Sequence, residues 1–242
     1  MMYLNERIDD LQRGGLRVIQ RADAFRFGTD AVLLADFAAP RRHDRVCDLG
    51  TGTGIIPLLL YARENTISAD AVEIQPDMAD MAARSMAMNG LNEKIRVLPG
   101  DLRSIRTLLP HARYDLVTCN PPYGKAGGTL LNPDASKRLA RHEESCAIDD
   151  VACAAAWLLQ NGGRLCCVFP AARMIELSDA MRKYRMARKR IRMVHSRVEK
   201  AAHLCLMEGM LDARPGLIIE PPLVIYDENN AYTPELRRIY GL

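Results

Sequence analysis

Apolar runs and helical patterns alternate along the chain from residue 45 onward. Short apolar runs, typical of buried strands, occupy residues 46–48, 71–74, 95–98, 114–119 and 165–169. Helical periodicity covers residues 55–63, 77–89 and 148–160. Because strands separated by helices are joined by right-handed crossovers, this order predicts a parallel sheet covered by helices on both faces.

The ends of the chain differ from this pattern. Residues 191–198 and 203–211 read as two strands with no helix between them, which predicts an antiparallel hairpin at the sheet edge. We therefore expect an α/β fold with seven strands, mostly parallel, and an antiparallel last strand. We expect a single domain over 1–242, made of an N-terminal extension over 1–43, a core over 44–211 and a C-terminal segment over 212–242. In the extension, Thr29 is expected to cap a short apolar helix.

Composition excludes several classes of protein. A hydrophobic content of 48% with 26% charged residues excludes global disorder. The seven cysteines include no Cys-x-x-Cys pair and no zinc spacing, so we expect reduced, buried thiols and no metal. No apolar stretch is long enough for a signal or a membrane span, which predicts a soluble, cytoplasmic protein. Aromatic residues make up only 5%, which argues against a stacking surface for unpaired nucleic acid.

A glycine cluster separates the first predicted strand from the helix after it. Asp48 leads into Gly50-Thr51-Gly52-Thr53-Gly54, and glycines at a strand end let a ligand approach the backbone closely. The spacing is not that of dinucleotide binders, and a carboxylate at Asp48 suits a cation better than a pyrophosphate. Glu73, at the end of the second strand, can accept two ribose hydroxyls, and Asp101 after the third can orient an adenine amino group. An amine, a ribose and an adenine without a phosphate describe S-adenosyl-L-methionine.

This arrangement resembles the Rossmann-like class I S-adenosylmethionine-dependent methyltransferases over residues 44–211. The resemblance implies a Rossmann-like fold and S-adenosyl-L-methionine as the cofactor. By analogy, Thr29 and Asp30 would sit near the methionine end of the cofactor. The residues expected to contact it are Thr29, Asp30, Asp48, Gly50, Thr51, Gly52, Gly54, Glu73, Ile74, Asp101, Leu102 and Asn120.

The fourth predicted strand ends in Asn120-Pro121-Pro122-Tyr123. The prolines stop the strand and stiffen the loop. An exocyclic amine conjugated to a ring is a poor nucleophile. Accepting its two N–H hydrogens, on the Asn120 side-chain oxygen and the Pro121 carbonyl, favours attack, while Tyr123 stacks on the planar group. The tetrapeptide resembles the signature of amino-group methyltransferases acting on adenine N6, cytosine N4, guanine N2 or a glutamine amide, so we expect these four residues to be catalytic.

The compact chain is most similar to a bacterial family that methylates N6 of the adenosine 3′ of the anticodon in a valine tRNA. Besides the tetrapeptide, the similar segments are 27–35, Arg141-His142-Glu143, Pro221-Pro222-Leu223-Val224-Ile225-Tyr226 and 232–240. The resemblance implies methylation of adenosine N6 in RNA at tRNA position 37. Three alternatives stay open: methylation of a protein glutamine, guanine-N2 methylation of ribosomal RNA, and a non-catalytic RNA-binding protein on the same fold.

The positive charge is concentrated. Residues 181–200 contain nine Lys or Arg and one acid, which gives this segment a net charge of +8. The whole chain has a net charge of +3, so the remaining residues sum to −5. Such a stretch predicts a phosphate footprint near the sheet edge beside the catalytic strand ends; a solvated surface is the alternative. The residues expected to bind RNA are Lys137, Arg138, Arg141, Arg182, Lys183, Arg188, Lys189 and Arg190.

Overall fold

The computed structural model describes residues 3, 5–21, 28–121 and 148–242, and most of its strands form one large sheet. The strands are β1 (Glu6–Asp10), β2 (Arg17–Arg21), β3 (Arg45–Leu49), β4 (Ser68–Glu73), β5 (Ile95–Pro99), β6 (Tyr114–Cys119), β7 (Leu159–Pro170), β8 (Met186–His195), β9 (Ala202–Leu211), β10 (Ile218–Ile219) and β11 (Leu223–Val224). The helices are α1 (Thr29–Ala38), α2 (Ile55–Arg63), α3 (Pro76–Met88), α4 (Ile105–Leu108), α5 (Ile148–Leu158), α6 (Met174–Lys183) and α7 (Pro234–Tyr240).

Seven strands form the core of the large sheet in the order β8-β9-β7-β6-β3-β4-β5. The last of them along the chain, β9, is antiparallel to both of its neighbours, and the remaining pairs are parallel. The predicted α/β architecture with an antiparallel last core strand is confirmed, but the large sheet has nine strands among the described residues and not the predicted seven. The prediction that the closing hairpin lies at the sheet edge is wrong, because the segment after Pro215 returns beside β8. There it adds β10 and β11, both parallel to β8.

Apolar layers cover both faces of this sheet. Side chains alternate along β7, so Cys166 and Val168 belong to the layer beneath α1 and α2, while Cys167 and Phe169 belong to the layer beneath α5 and α6. The six cysteines among the described residues are free thiols, as expected. No helix among the described residues is long and apolar enough to cross a membrane.

Several element boundaries differ from the predictions, most of all for β7, which begins at Leu159 rather than 165, and for β8, which spans Met186–His195 rather than 191–198. Helix α5 ends at Leu158 rather than 160, because Leu159 already pairs with Tyr114 as β7 begins. Helix α1 has Gly28 as its N-cap, and Thr29 is its first residue, so Thr29 does not cap it. Helix α3 begins at Pro76 and ends at Met88, one residue earlier at each end than predicted, and it buries Ala79, Met81, Ala82, Ser85 and Met86.

Both extensions pack on the core. The antiparallel hairpin β1–β2, which the sequence pattern did not predict, is docked on α3 by polar contacts. The Ile19 amide donates to the Ser85 hydroxyl at 2.9 Å, and the Asn89 side chain bonds to the Arg17 amide at 2.9 Å and to its carbonyl at 2.6 Å. At the other end of the chain, α7 packs against α1.

A buried ion network closes the C-terminal end of α1. Arg164 donates to the Ala38 carbonyl at 3.0 Å and to the Glu208 carboxylate at 3.2 Å, and it lies 3.5 Å from Asp44. Arg190 donates to the same Glu208 oxygen at 2.9 Å. Cations at a helix C-terminus are favourable because they satisfy its free carbonyls and oppose its dipole.

Candidate active site

The predicted cofactor and catalytic residues meet along the carboxyl ends of four neighbouring strands. Leu49 is in register with Val72 on β4 and with Cys119 on β6, so Glu73, Gly50 and Asn120 follow three residues at one level of the sheet. Asp101 follows β5 on the far side of β4. The line from β5 to β6 covers three strand spacings, about 14 Å. An extended nucleoside with an amino-acid tail fits along such a line.

The glycine loop is held against the end of β4. The amides of Gly50 and Thr51 both donate to the Val72 carbonyl, at 2.9 and 3.0 Å. Gly52 has a φ of 57°, and a Cβ placed there would meet nothing within 4 Å, so the loop is both left-handed and open on its outer side. A ligand can therefore lie directly against this backbone.

Glu73 pins the loop as well as facing the expected ribose position. Its two carboxylate oxygens accept from the amides of Gly52 at 2.8 Å and Gln75 at 2.9 Å, and the residue is buried. Each carboxylate oxygen can accept more than one hydrogen bond, so Glu73 retains capacity for two hydroxyls. Ile74, the next residue, is 43% exposed, an unusual position for an isoleucine and one suited to packing against a flat ring.

Asp48 is fully buried at the end of β3, below the glycine loop. Burial raises its pKa from the ordinary value of 3.8 to about 7, opposed by the hydroxyl of Thr118 and reinforced by the charge of Glu73. The Thr118 hydroxyl donates to its Oδ1 at 2.6 Å. Among the described residues, nothing lies at hydrogen-bond distance from its buried Oδ2 or from the buried Thr51 Oγ1. A buried acceptor of this kind suits a cationic ligand.

Thr118 is a site residue that the sequence pattern missed. It lies within the apolar run of β6, two residues before Asn120, and its backbone is in register with Asp48. A lone hydroxyl in a fully buried strand was the available signal. The hydrogen bond from Thr118 to Asp48 joins β6, which leads into Asn120, to β3, which leads into the glycine loop.

The structure describes two of the four predicted catalytic residues. Asn120 follows β6 and is half-buried, and Pro121 is buried beside it. Pro122 and Tyr123 lie outside the described residues.

Asp101 accepts from the backbone and guanidinium of Arg103, at 2.9 and 2.5 Å, and this contact holds the pKa of Asp101 below its usual range. Leu102 follows Asp101 and is half-buried.

Thr29 and Asp30 begin α1 at the same end of the sheet. Burial raises the pKa of Asp30, opposed by the nearby His203 at the start of β9. The Thr29 hydroxyl accepts from the Tyr240 hydroxyl at 3.2 Å. The C-terminal segment therefore reaches the rim of the candidate site.

Of the residues expected to bind RNA, those that the structure describes lie on α6 and on β8, and β8 is three strands away from β6. Strand β8 runs parallel to β6, so Arg182 and Lys183, which precede it, lie toward the amino ends of the strands, while the register through β9 and β7 places Arg188 level with Val117 in the middle of β6. The expectation that this stretch lies beside the catalytic strand ends is therefore wrong for its first half, although Arg192, which is level with Asn120, and Arg197 lie in the half that reaches the carboxyl ends. Most of its charges are paired: Arg182 with Asp179, Lys183 with Asp149, and Arg190 with Glu208 and Glu220, while Lys189 donates to the Arg214 carbonyl. Lys137, Arg138 and Arg141 lie outside the described residues.

Comparisons with known proteins agree with this arrangement. The family model described as "Methyltransferase small domain" matches residues 22–193. The chain is 34% identical over 216 residues to a Tolumonas auensis protein named tRNA1(Val) (adenine(37)-N6)-methyltransferase, covering 88% of this chain and 86% of the relative. A Porphyromonas gingivalis protein of the same name is 31% identical over 231 residues, covering 91% and 89%. A crystal structure from Agrobacterium tumefaciens, titled a predicted O-methyltransferase, superposes with a TM-score of 0.72 at 24% identity over 88% of this chain and 95% of that one, a likeness of fold alone.

Proposed function

The chain belongs to the methyltransferase small domain family, and from this premise we propose that it transfers a methyl group from S-adenosyl-L-methionine to the exocyclic N6 of an adenosine in tRNA. The observation that carries the proposal is the placement of Asn120. It follows Cys119, the register partner of Leu49, so it lies one strand spacing from the start of the glycine loop. The names of the similar proteins support the choice of adenine and of tRNA position 37.

The residues at the four strand ends fit the cofactor. Glu73 would accept the ribose hydroxyls, Ile74 and Leu102 would pack on the adenine, and Asp101 would take its amino group. The open backbone of the glycine loop would lie along the methionine part, with the buried Asp48 below it, and Thr29 and Asp30 would close that end. The bound cofactor supplies a methyl group already activated on a sulfonium. Positioning by these residues therefore supplies most of the catalysis.

Asn120 and Pro121 would prepare the amine. The side-chain oxygen of Asn120 accepts one N6 hydrogen and the Pro121 carbonyl accepts the other, which reduces conjugation with the ring and directs the nitrogen lone pair at the methyl carbon. Nitrogen gains the methyl group as the carbon–sulfur bond breaks, and the excess amine proton then leaves to solvent. On the basis of the sequence motif, we also propose that the adenine base stacks on Tyr123.

Methylation of a protein glutamine is the second candidate, because Asn120 and Pro121 would hold a side-chain amide in the same way. The named relatives favour tRNA over a protein. We also propose the anticodon region as the site of modification and the cytoplasm, where tRNA is available, as the location.

Labelled S-adenosyl-L-methionine distinguishes these activities. The protein is incubated with unmodified total tRNA, and in parallel with a bacterial lysate treated with ribonuclease, and labelled nucleosides and peptides are identified. We expect N6-methyladenosine at tRNA position 37. Label on a glutamine peptide, or on guanine in ribosomal RNA, would replace this proposal with the corresponding alternative. RNA binding without any transfer would support a non-catalytic protein.

A further inference from the structure

Three tyrosines from the C-terminal segment form a continuous row. The rings of Tyr226 and Tyr232 stack with their centroids 5.5 Å apart and an interplanar angle of 30°. The rings of Tyr232 and Tyr240 repeat the 5.5 Å separation at 18°. The low aromatic content predicts that a stacking surface is absent, but the number of aromatic residues does not show their positions, and here three tyrosines stack on one another.

The backbone holds the row rigidly. Tyr226 and Tyr232 form an antiparallel bridge around a turn, in which the Asp227 carboxylate accepts from the amides of Asn229 and Ala231, both at 2.9 Å. Thr233 then caps α7 by accepting from the Leu236 amide at 3.3 Å, which fixes the direction of the helix that carries Tyr240. A preformed stack loses little conformational entropy when a ligand binds.

The row lies at the carboxyl ends of the strands, on the rim of the candidate site. Strand β11 pairs with the end of β8, and the Tyr226 amide donates to the Ser196 carbonyl just beyond that strand, at 3.0 Å. At the inner end of the row, the Tyr240 hydroxyl donates to Thr29 beside Asp30. Four strand spacings, about 19 Å, separate β11 from β6, the strand that Asn120 follows.

The outer end of the row is open. Tyr226 is 38% exposed although one of its faces packs on Tyr232, so the end ring of the row remains accessible. Arg197 lies next to it and donates to the Asp227 carbonyl at 3.2 Å, which holds this cation at the end of the row. An aromatic face beside a fixed guanidinium matches a stacked base and the phosphate next to it.

We propose that Tyr226, backed by Tyr232 and Tyr240, is a binding site for an unpaired nucleobase of the RNA substrate, with Arg197 contacting the neighbouring phosphate. The proposal rests on the proposed function and adds a second contact, a few nucleotides from the methylated adenosine. Arg197 belongs to the later part of the basic stretch 181–200, which reaches the carboxyl ends of the strands, whereas Arg182 and Lys183 lie toward the opposite ends. It would hold the looped strand while the target base is turned toward Asn120.

Replacement of Tyr226 tests the site. Binding of unmodified tRNA is measured for the wild type and for Tyr226→Ala, Tyr226→Phe and, as a matched control, Tyr3→Ala, which removes a tyrosine that is 60% exposed on the N-terminal segment. We expect Tyr226→Ala to raise the Kd by about five- to 150-fold, the equivalent of about 1 to 3 kcal/mol at about 1.4 kcal/mol per tenfold change. Tyr226→Phe keeps the ring and should bind like the wild type, as should Tyr3→Ala.

A second readout reports the stacking itself. A tRNA anticodon stem-loop carrying 2-aminopurine near the target adenosine should lose fluorescence on binding the wild type, and keep it on binding Tyr226→Ala. Equal Kd values and equal quenching for these two proteins would overturn the inference, even if Tyr226→Ala lowers the melting temperature. A wild type that binds no RNA would overturn both this inference and the proposed function. Methylation of tRNA by a wild type whose affinity does not depend on the ring at 226 would overturn only the inference.

Discussion

Replacement of Asp48 with Asn should stabilise the protein and weaken its cofactor binding at the same time. The folded protein holds this carboxyl in a fully buried position where its pKa is about 7, against an ordinary value of 3.8 in the unfolded chain. At about 1.4 kcal/mol for each tenfold change in the proton equilibrium, that difference corresponds to about 4 kcal/mol. The ionised form of Asp48 therefore costs the fold about 4 kcal/mol at a pH well above 7.

The sign of the pH dependence follows from proton counting. Between about pH 4 and pH 7 the folded protein retains a proton on Asp48 that the unfolded chain has released, so the contribution of this group to stability falls as the pH rises. Asparagine carries no charge, and its side-chain oxygen can still accept from Thr118. The Asp48→Asn variant should consequently lack this loss of stability.

Denaturant unfolding of the ligand-free protein at about pH 5 and pH 8 provides the measurement. We expect the stability of Asp48→Asn relative to the wild type to increase by about 2 to 3 kcal/mol between these pH values. The affinity for S-adenosyl-L-methionine, measured by calorimetry at about pH 8, should fall. The control is Asp179→Asn, which removes a carboxyl whose side chain is 60% exposed, and no such trend is expected for it. A stability difference between the two proteins that stays the same or shrinks from pH 5 to pH 8 would refute the reasoning, because it would mean that folding does not raise the pKa of Asp48.

Three further substitutions address the other parts of the site and fold. Asn120→Ala should abolish methyl transfer while leaving the calorimetric affinity for the cofactor within about twofold; a variant that remains active would remove Asn120 from its assigned role. Thr118→Val removes the donor that lowers the pKa of Asp48, so cofactor affinity should fall about tenfold near pH 7 and recover at higher pH; a loss that is independent of pH would indicate a packing defect instead. Arg164→Met leaves Glu208 without its buried cationic partner, with only the partly exposed Arg190 beside it, and should cost about 3 to 5 kcal/mol in urea unfolding; an unchanged midpoint would show that Arg190 alone balances Glu208.

The alternating strands and helices of the core were predictable because the pattern of residues within each element is enough to indicate that element. The run 114–119 matches β6 residue for residue, and the glycine cluster ends β3 where a parallel sheet places its ligands. Long-range pairing was the part that local patterns could not give. Nothing in residues 181–200 shows that Arg190 faces Glu208 or that β8 begins at the amino ends of the other strands, because both depend on how β9 reverses direction. For the same reason Asp48 was predictable as a site residue, but its hydrogen bond to Thr118, which is 70 positions away, was not.

The C-terminal segment shows how a stretch without a clear pattern becomes part of the site. An uncovered β8 would leave a row of backbone amides and carbonyls unpaired at the sheet edge. The Glu220 amide donates to the Ile191 carbonyl at 2.8 Å and the Ile225 amide to the His195 carbonyl at 2.9 Å. Pro221 and Pro222, which have no N–H, stand between these two bonds, so the cover consists of two short strands and not one regular strand.

These two strands lead the chain along β8 to the carboxyl ends of the sheet, where Tyr226 begins the row that ends at Thr29. The C-terminal segment is thus held along β8 at one end and on α1 at the other. We therefore propose that residues 1–242 form a single domain, in which the C-terminal segment both covers the edge of the sheet at β8 and forms part of the rim of the site.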